Sequence, residues 1–232
     1  MRRYAHLKKG AAALALTVAA LSLGGCINLL PKTKPVQLYR FGYDQALLDT
    51  SVASATGVPV AVTLGTVIFP PGSAGDGIVT IEDNQVAYVS EARWSASAQA
   101  LFYAAVSEGF ARGGNNIHLE PRGPSSAPYR LDVTVRRFET VYGHNKPTVS
   151  IALDARITRV SDRIVINQRF ITADIGVKRN DMSMTADAYS KATSQAVAAL
   201  IGFSQETLSP LAPPATPMTE LPKDGKQKVE GL

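Results

Sequence analysis

Between Tyr129 and Val177 apolar and polar residues alternate in three successive runs, and no other feature of the 232 residues constrains the fold as tightly. Tyr129 to Tyr142 carries Leu131, Val133 and Val135, then changes phase to Phe138, Thr140 and Tyr142, with Arg136-Arg137 at the slip. Thr148 to Val160 carries Val149, Ile151, Leu153, Ala155 and Ile157, and after Ser161-Asp162 the run Ile164 to Val177 returns. A period of two places alternate side chains on opposite faces, so each run reads as a strand with one buried and one wet face. Short polar connections make the three an antiparallel meander, and the change of phase predicts a bulge at Arg136-Arg137.

The rest of the body reads as further strands and two helices. Val36 to Tyr43, Val58 to Phe69, Ile78 to Ile81, Gln85 to Trp94 and Ile117 to Leu119 are extended by composition, and Pro70 to Gly77 is a loop. Ser97 caps a helix over Ala98 to Arg112, in which Leu101, Phe102, Ala105, Val106 and Phe110 recur at helical spacing until Gly113-Gly114. The polar face of that helix carries only Glu108 and Arg112, too few cations for a membrane-surface helix. A second helix spans Ala186 to Gln205 with Thr185 as its cap. The expected fold is α+β: a mainly antiparallel sheet with two helices packed on one face, in strand-helix-strand-helix order.

The first 26 residues have a different character. Arg2, Arg3, Lys8 and Lys9 precede an apolar run from Gly10 to Leu23, then Gly24-Gly25-Cys26. At about 1.5 Å per residue the run reaches roughly 21 Å, short of a hydrocarbon core of roughly 30 Å, so it reads as a secretory signal. Leu23-Gly24-Gly25-Cys26 resembles the bacterial lipobox, with cleavage between Gly25 and Cys26 and lipid on Cys26, the only cysteine. Two or three acyl chains, a palmitate among them, anchor a protein durably where one does not. The domain plan is residues 1–25 signal peptide, 26–35 lipidated cysteine and linker, 36–209 folded domain, and 210–232 a disordered tail with Pro210, Pro213, Pro214, Pro217 and Pro222. Ile27 rather than Asp follows the cysteine, which by resemblance to the lipoprotein sorting rule favours the periplasmic face of the outer membrane.

Composition then excludes several function classes. The net charge of +5 owes four units to the leader; without it twenty basic residues face nineteen acidic ones, and no nucleic-acid footprint remains. Three histidines, His6, His118 and His144, and one cysteine leave little for a metal cage, and no cofactor is called for. Phosphate loops, paired-histidine helices and nucleophile elbows are absent from the sequence. His118 and His144 flank predicted turns without a defined partner, and Asp132, Asp154 and Asp174 lie along the outward phase of the strands, so the reading is of a protein that is not an enzyme.

Two sets of residues remain as candidate sites. Arg93-Trp94 stands just before the first helix, either as a corner of the core or as a partner-docking spot. Arg136, Arg137, Arg156 and Arg159, with Arg163 and Arg169 nearby, form either a basic patch for anionic lipid or acidic protein, or a mixed solvated face, because Asp132, Glu139, Asp154 and Asp162 interleave with them.

Four features together resemble the ABC-type transport auxiliary lipoprotein family, which accompanies MCE-domain and paraquat-inducible-type lipid transport systems. They are Cys26 with Leu30-Pro31 and the strand Leu38-Tyr39-Arg40-Phe41; Val60 to Pro70; Ile78-Val79-Thr80 followed by Tyr88 to Trp94 and a helix; and the late strand ending Val135 to Glu139. Family members usually carry Arg-Pro-Gln before the Ile-Val pair and a proline after Arg-Trp; this chain has Gly75-Asp76-Gly77 and Ser95-Ala96-Ser97. The resemblance implies a non-catalytic subunit working with an ATPase, a permease and an MCE-domain protein to move phospholipid or other lipid between membranes. Its implied partners are that complex and the membrane, with phospholipid and a second copy of the chain as further ones. The alternative is a stand-alone envelope lipoprotein that holds a lipid or hydrophobic molecule between its sheet and helices.

Overall fold

The computed structural model describes residues 35–44, 46, 59–121, 123–143 and 146–211. The chain divides into two compact units, Met1–Val36 and Gln37–Leu232, and the second is treated below. Expectations that rest on the leader, Gly25, Cys26, residues 27–34, His144 and the tail past residue 211 lie outside the described residues.

The elements are β1 (Gln37–Tyr39), β2 (Val60–Ile68), β3 (Gly77–Glu82), β4 (Gln85–Trp94), α1 (Ala98–Gly113), β5 (Ile117–Glu120), β6 (Tyr129–Tyr142), β7 (Thr148–Arg159), β8 (Val165–Gly176) and α2 (Met182–Leu208), closed by a 3-10 turn at Ser209–Leu211. All eight strands join one sheet, built outward from β6. On one side β7 and then β8 follow in antiparallel pairing. The other edge of β6 is shared: its first half, Tyr129 to Thr134, pairs with β2, and its last residues, Thr140 to Tyr142, pair with β3. β5 extends the β2 arm, while β4 and β1 extend the β3 arm.

This corrects the expected mainly antiparallel sheet. The sheet is mixed, with four parallel pairings, β1/β4, β2/β5, β2/β6 and β3/β6, against three antiparallel ones. The error has a physical source. Alternation reports which face a residue takes and nothing about strand direction; β2 and β3 lie before α1 in the chain while β5 and β6 lie after it, and a chain that crosses over through a helix returns pointing the same way.

Within the meander the register shifts between Val135 and Arg137, leaving Arg136 as the extra residue, where the change of phase placed it. Ser97 caps α1, its hydroxyl accepting from the Ala100 N–H at 3.2 Å. The second helix starts four residues before the expected Ala186. Asp181 is its cap, accepting from the Met184 N–H at 3.1 Å, and Thr185 is an interior residue whose hydroxyl donates back to the Asp181 carbonyl. Met182 and Met184 pack half-buried against the core, which lengthens the helix beyond the clean apolar stripe.

The inner face of the sheet meets the two helices across a cluster of rings. Phe138 of β6 lies 5.0 Å from Tyr189 of α2 and 5.3 Å from Phe69, and Phe41 contacts both Trp94 and Phe138 at 4.9 Å. Phe102 of α1 closes the group against Phe69 at 5.6 Å. Such pairs contribute about 0.5–1.5 kcal/mol each beyond simple burial. Rings at these separations leave no width for an acyl chain between them, so at the centre of the layer between sheet and helices the space is filled by side chains among the described residues.

Candidate docking face of the sheet

The sheet's other face is uncovered by either helix, and its residues follow from the registers. Ile68, Thr134, Asp154 and Phe170 are successive partners across β2, β6, β7 and β8, and Asp132, Arg156 and Gln168 form the next row. Three interstrand steps of about 4.8 Å separate Ile68 from Phe170 by roughly 14 Å. Both are large apolar residues in the open, at 50% and 58% exposure. Between them lies a groove of about 630 Å³, lined also by Arg130, Arg136 and Thr66.

A bulge in β2 shapes one wall. The register with β6 shifts between Leu64 and Val67, so Gly65 and Thr66 together face Asp132. Asp132 accepts from the Thr66 N–H at 3.0 Å on Oδ1 and from Arg130 Nε at 3.0 Å on Oδ2. A β-carbon on Gly65 would stand 2.1 Å from that Oδ1, so only glycine lets the carboxylate reach the bulge amide. Asp154 in turn accepts from Arg136 Nε at 2.6 Å. Arg156 is exposed and forms no ion pair among the described residues.

The four arginines singled out from the sequence do not form one patch. Arg136 and Arg137 point outward because the bulge turns both to the same face, and Arg156 joins them. Arg159 shares the phase of Leu153, Ala155 and Ile157 and so belongs to the inner side, at the strand end, where its Nε lies 3.3 Å from Asp162. Arg169 is likewise on the helix side, 5.0 Å over the Phe203 ring and bonded to Glu206 at 2.8 Å. Beside Arg137, Glu139 is half-buried; burial pushes its carboxyl above the ordinary carboxylate range and the Arg137 guanidinium pulls it partly back.

Arg93 and Trp94 turn opposite ways. Trp94 is 2% exposed, edge-on to Phe41 and Tyr189 at 4.9 Å each, and offers no surface to a partner. Arg93 Nη1 donates to the carbonyls of Val89 and Ala92 at 2.9 and 2.8 Å, holding a bulge in which Glu91 takes a φ of 59°. Gly77 leaves room for the Tyr88 ring, 2.6 Å from where a β-carbon would stand, and the Tyr88 hydroxyl donates to the Gly72 carbonyl at 2.8 Å.

His118 lies exposed on β5. Among the described residues no three His, Cys, Asp or Glu side chains are grouped to hold a metal, and no helix is long and apolar enough to cross a membrane. Ile68, Phe170 and Arg130 were not singled out from the sequence. The signal was there: Ile68 and Phe170 are apolar residues on the polar phase of their strands.

The fold and its uncovered face define a filled, mixed-sheet module whose open surface suits contact with another macromolecule. The family model of the ABC-type transport auxiliary lipoprotein component matches residues 45–201, more than half of the chain, and the chain belongs to that family. A solved Xanthomonas campestris protein of the DUF330 family is similar, with 20% identity and a TM-score of 0.60 over 74% of this chain and 96% of that one. An uncharacterized protein matches with 13% identity and a TM-score of 0.59, covering 73% of this chain and 99% of the other. The hypothetical protein CT253 from Chlamydia trachomatis, at 9% identity and a TM-score of 0.49, spans 65% of this chain and 98% of its own. At these identities the first two likenesses concern the fold alone. No curated protein matches the sequence.

Proposed function

We propose that the chain is a membrane-anchored periplasmic lipoprotein serving as a non-catalytic auxiliary subunit of an ABC-type, MCE-linked lipid transport system. In this reading residues 1–25 are removed as a signal peptide, and acyl chains on Cys26 hold the domain of residues 36–209 to the periplasmic face of the outer membrane through the short linker. The family match over residues 45–201 carries the reading. The ring packing between sheet and helices supports it: among the described residues Phe41, Phe69, Trp94, Phe102, Phe138 and Tyr189 occupy the centre of that layer, which favours action by contact over carriage of lipid there. Tethering adds effective concentration: a face confined near a bilayer meets its partner without a high intrinsic affinity.

The test is affinity purification of the tagged full-length chain from membranes in mild detergent. Recovery of an ATPase, a permease and an MCE-domain protein in stoichiometric amounts is the expected result, and recovery of the chain alone would overturn the reading. Cys26→Ser is expected to leave the precursor without labelled palmitate and to release it from the outer-membrane fraction.

A further inference from the structure

We propose that the groove between Ile68 and Phe170 binds an acidic, apolar-flanked segment of a partner protein, with Arg156 as the residue that pairs with its carboxylate. The inference rests on the auxiliary-subunit reading and names the chemistry of the contact.

The argument is one of donors left over. The two carboxylates of the groove are already engaged: Asp132 by the Thr66 N–H and Arg130 Nε, and Asp154 by Arg136 Nε. Each of those arginines spends only its Nε, and its terminal nitrogens make no hydrogen bond among the described residues. Arg156 makes none among the described residues, though it stands opposite Asp132 in the register. Three guanidinium groups therefore present unused N–H donors in a planar geometry suited to carboxylate oxygens. The apolar residues stand at the two ends of one cross-strand row, so a segment lying across the strands would meet Ile68, the arginines and Phe170 in turn.

A membrane surface fits this face less well. It is concave, and Asp132 and Asp154 on its floor, with Glu139 and Asp174 farther along the same phase, would repel anionic headgroups that approach as a sheet. A single protein segment can enter the groove and place one carboxylate on Arg156, where the nearest acids, Asp132 and Asp154, are each already offset by an arginine, Arg130 and Arg136.

A photo-crosslinking residue at position 170 of the full-length chain, irradiated in intact cells, reads the occupant directly by mass spectrometry of the adduct. The expected adduct is a peptide of another protein in which Asp or Glu lies within a few residues of large apolar ones. Arg156→Glu is expected to cut its yield about tenfold, because it removes an exposed charge pair worth up to about fivefold and puts a like-charge repulsion in its place, with the Trp94 fluorescence of the fold unchanged; Arg156→Gln should give a smaller loss of the same sign. A phospholipid adduct, a peptide of this same chain, a peptide without acidic residues, no adduct, or a yield indifferent to both substitutions would each overturn the inference. If the transport complex still co-purifies in that event, the auxiliary-subunit reading stands without this groove.

Discussion

Replacing Gly65 by alanine tests whether the β2 bulge is shaped by the Asp132 carboxylate. The new methyl carbon would stand 2.1 Å from Asp132 Oδ1 and 3.0 Å from two carbons of Arg130. The arginine stem is flexible and can move. The carboxylate is short and is held by the Thr66 N–H and Arg130 Nε, so it must swing away and give up the bulge amide. A hydrogen bond to a charged acceptor contributes about 1.5–3 kcal/mol; with the Asp132 side chain 24% exposed, water recovers part of that, and we expect Gly65→Ala to cost about 1–2 kcal/mol. Asp132→Ala removes the same bond and should cost about as much. In the Asp132→Ala background the obstacle is gone, so adding Gly65→Ala should cost only a few tenths of a kcal/mol more. The assay is urea denaturation of the wild type, both single variants and the double, followed by Trp94, the only tryptophan. A double variant whose loss equals the sum of the singles, within about 0.5 kcal/mol, would refute the coupling.

Glu139→Gln is expected to raise the urea midpoint near pH 7 and to do little at about pH 3. The raised carboxyl pKa means the fold favours the protonated form, so its stabilising effect is present at low pH and is lost as pH rises through the folded value. Burial holds the Tyr189 phenol far above the ordinary tyrosine value, so wild-type stability should fall as pH climbs beyond about 10; Tyr189→Phe should flatten that limb, Tyr43 and Tyr142 accounting for what remains. Arg93→Ala should cost about 1–3 kcal/mol by freeing the Val89 and Ala92 carbonyls, and Arg93→Lys should recover part of that loss, because one nitrogen makes both bonds and an ammonium can donate to two carbonyls. Thermal melts would read the Arg93 losses as shifts of a few degrees per kcal/mol; unchanged melts would remove the clamp from the account of the bulge.

How much of the docking face was legible can be seen from its members. The bulge at Arg136 could be read because a change of phase in an otherwise regular alternation has few other causes. The bulge at Gly65 was missed: Val60 to Phe69 is apolar at most positions, so a slip within it leaves little trace, and the glycine is explained only by a carboxylate 67 residues later in the chain. Arg159 was grouped with Arg136 because both lie on the meander, although counting from Ile157 already places it on the other side. The early start of α2 was missed because Met182 and Met184 flank the apolar stripe rather than continue it.

Local pattern alone determined the positions of most strands, the Ser97-capped helix and the face to which each meander residue belongs, since those depend on residues a few positions apart and on the two periods of backbone geometry. Strand direction was decided only in three dimensions, where β6 is long enough to accept β2 and β3 end to end on one edge. So was the isolation of Arg156, which depends on Asp132 and Asp154 being taken by Arg130 and Arg136. Alternation is the same for parallel and antiparallel strands, and an ion pair depends on distances that no spacing along the chain encodes.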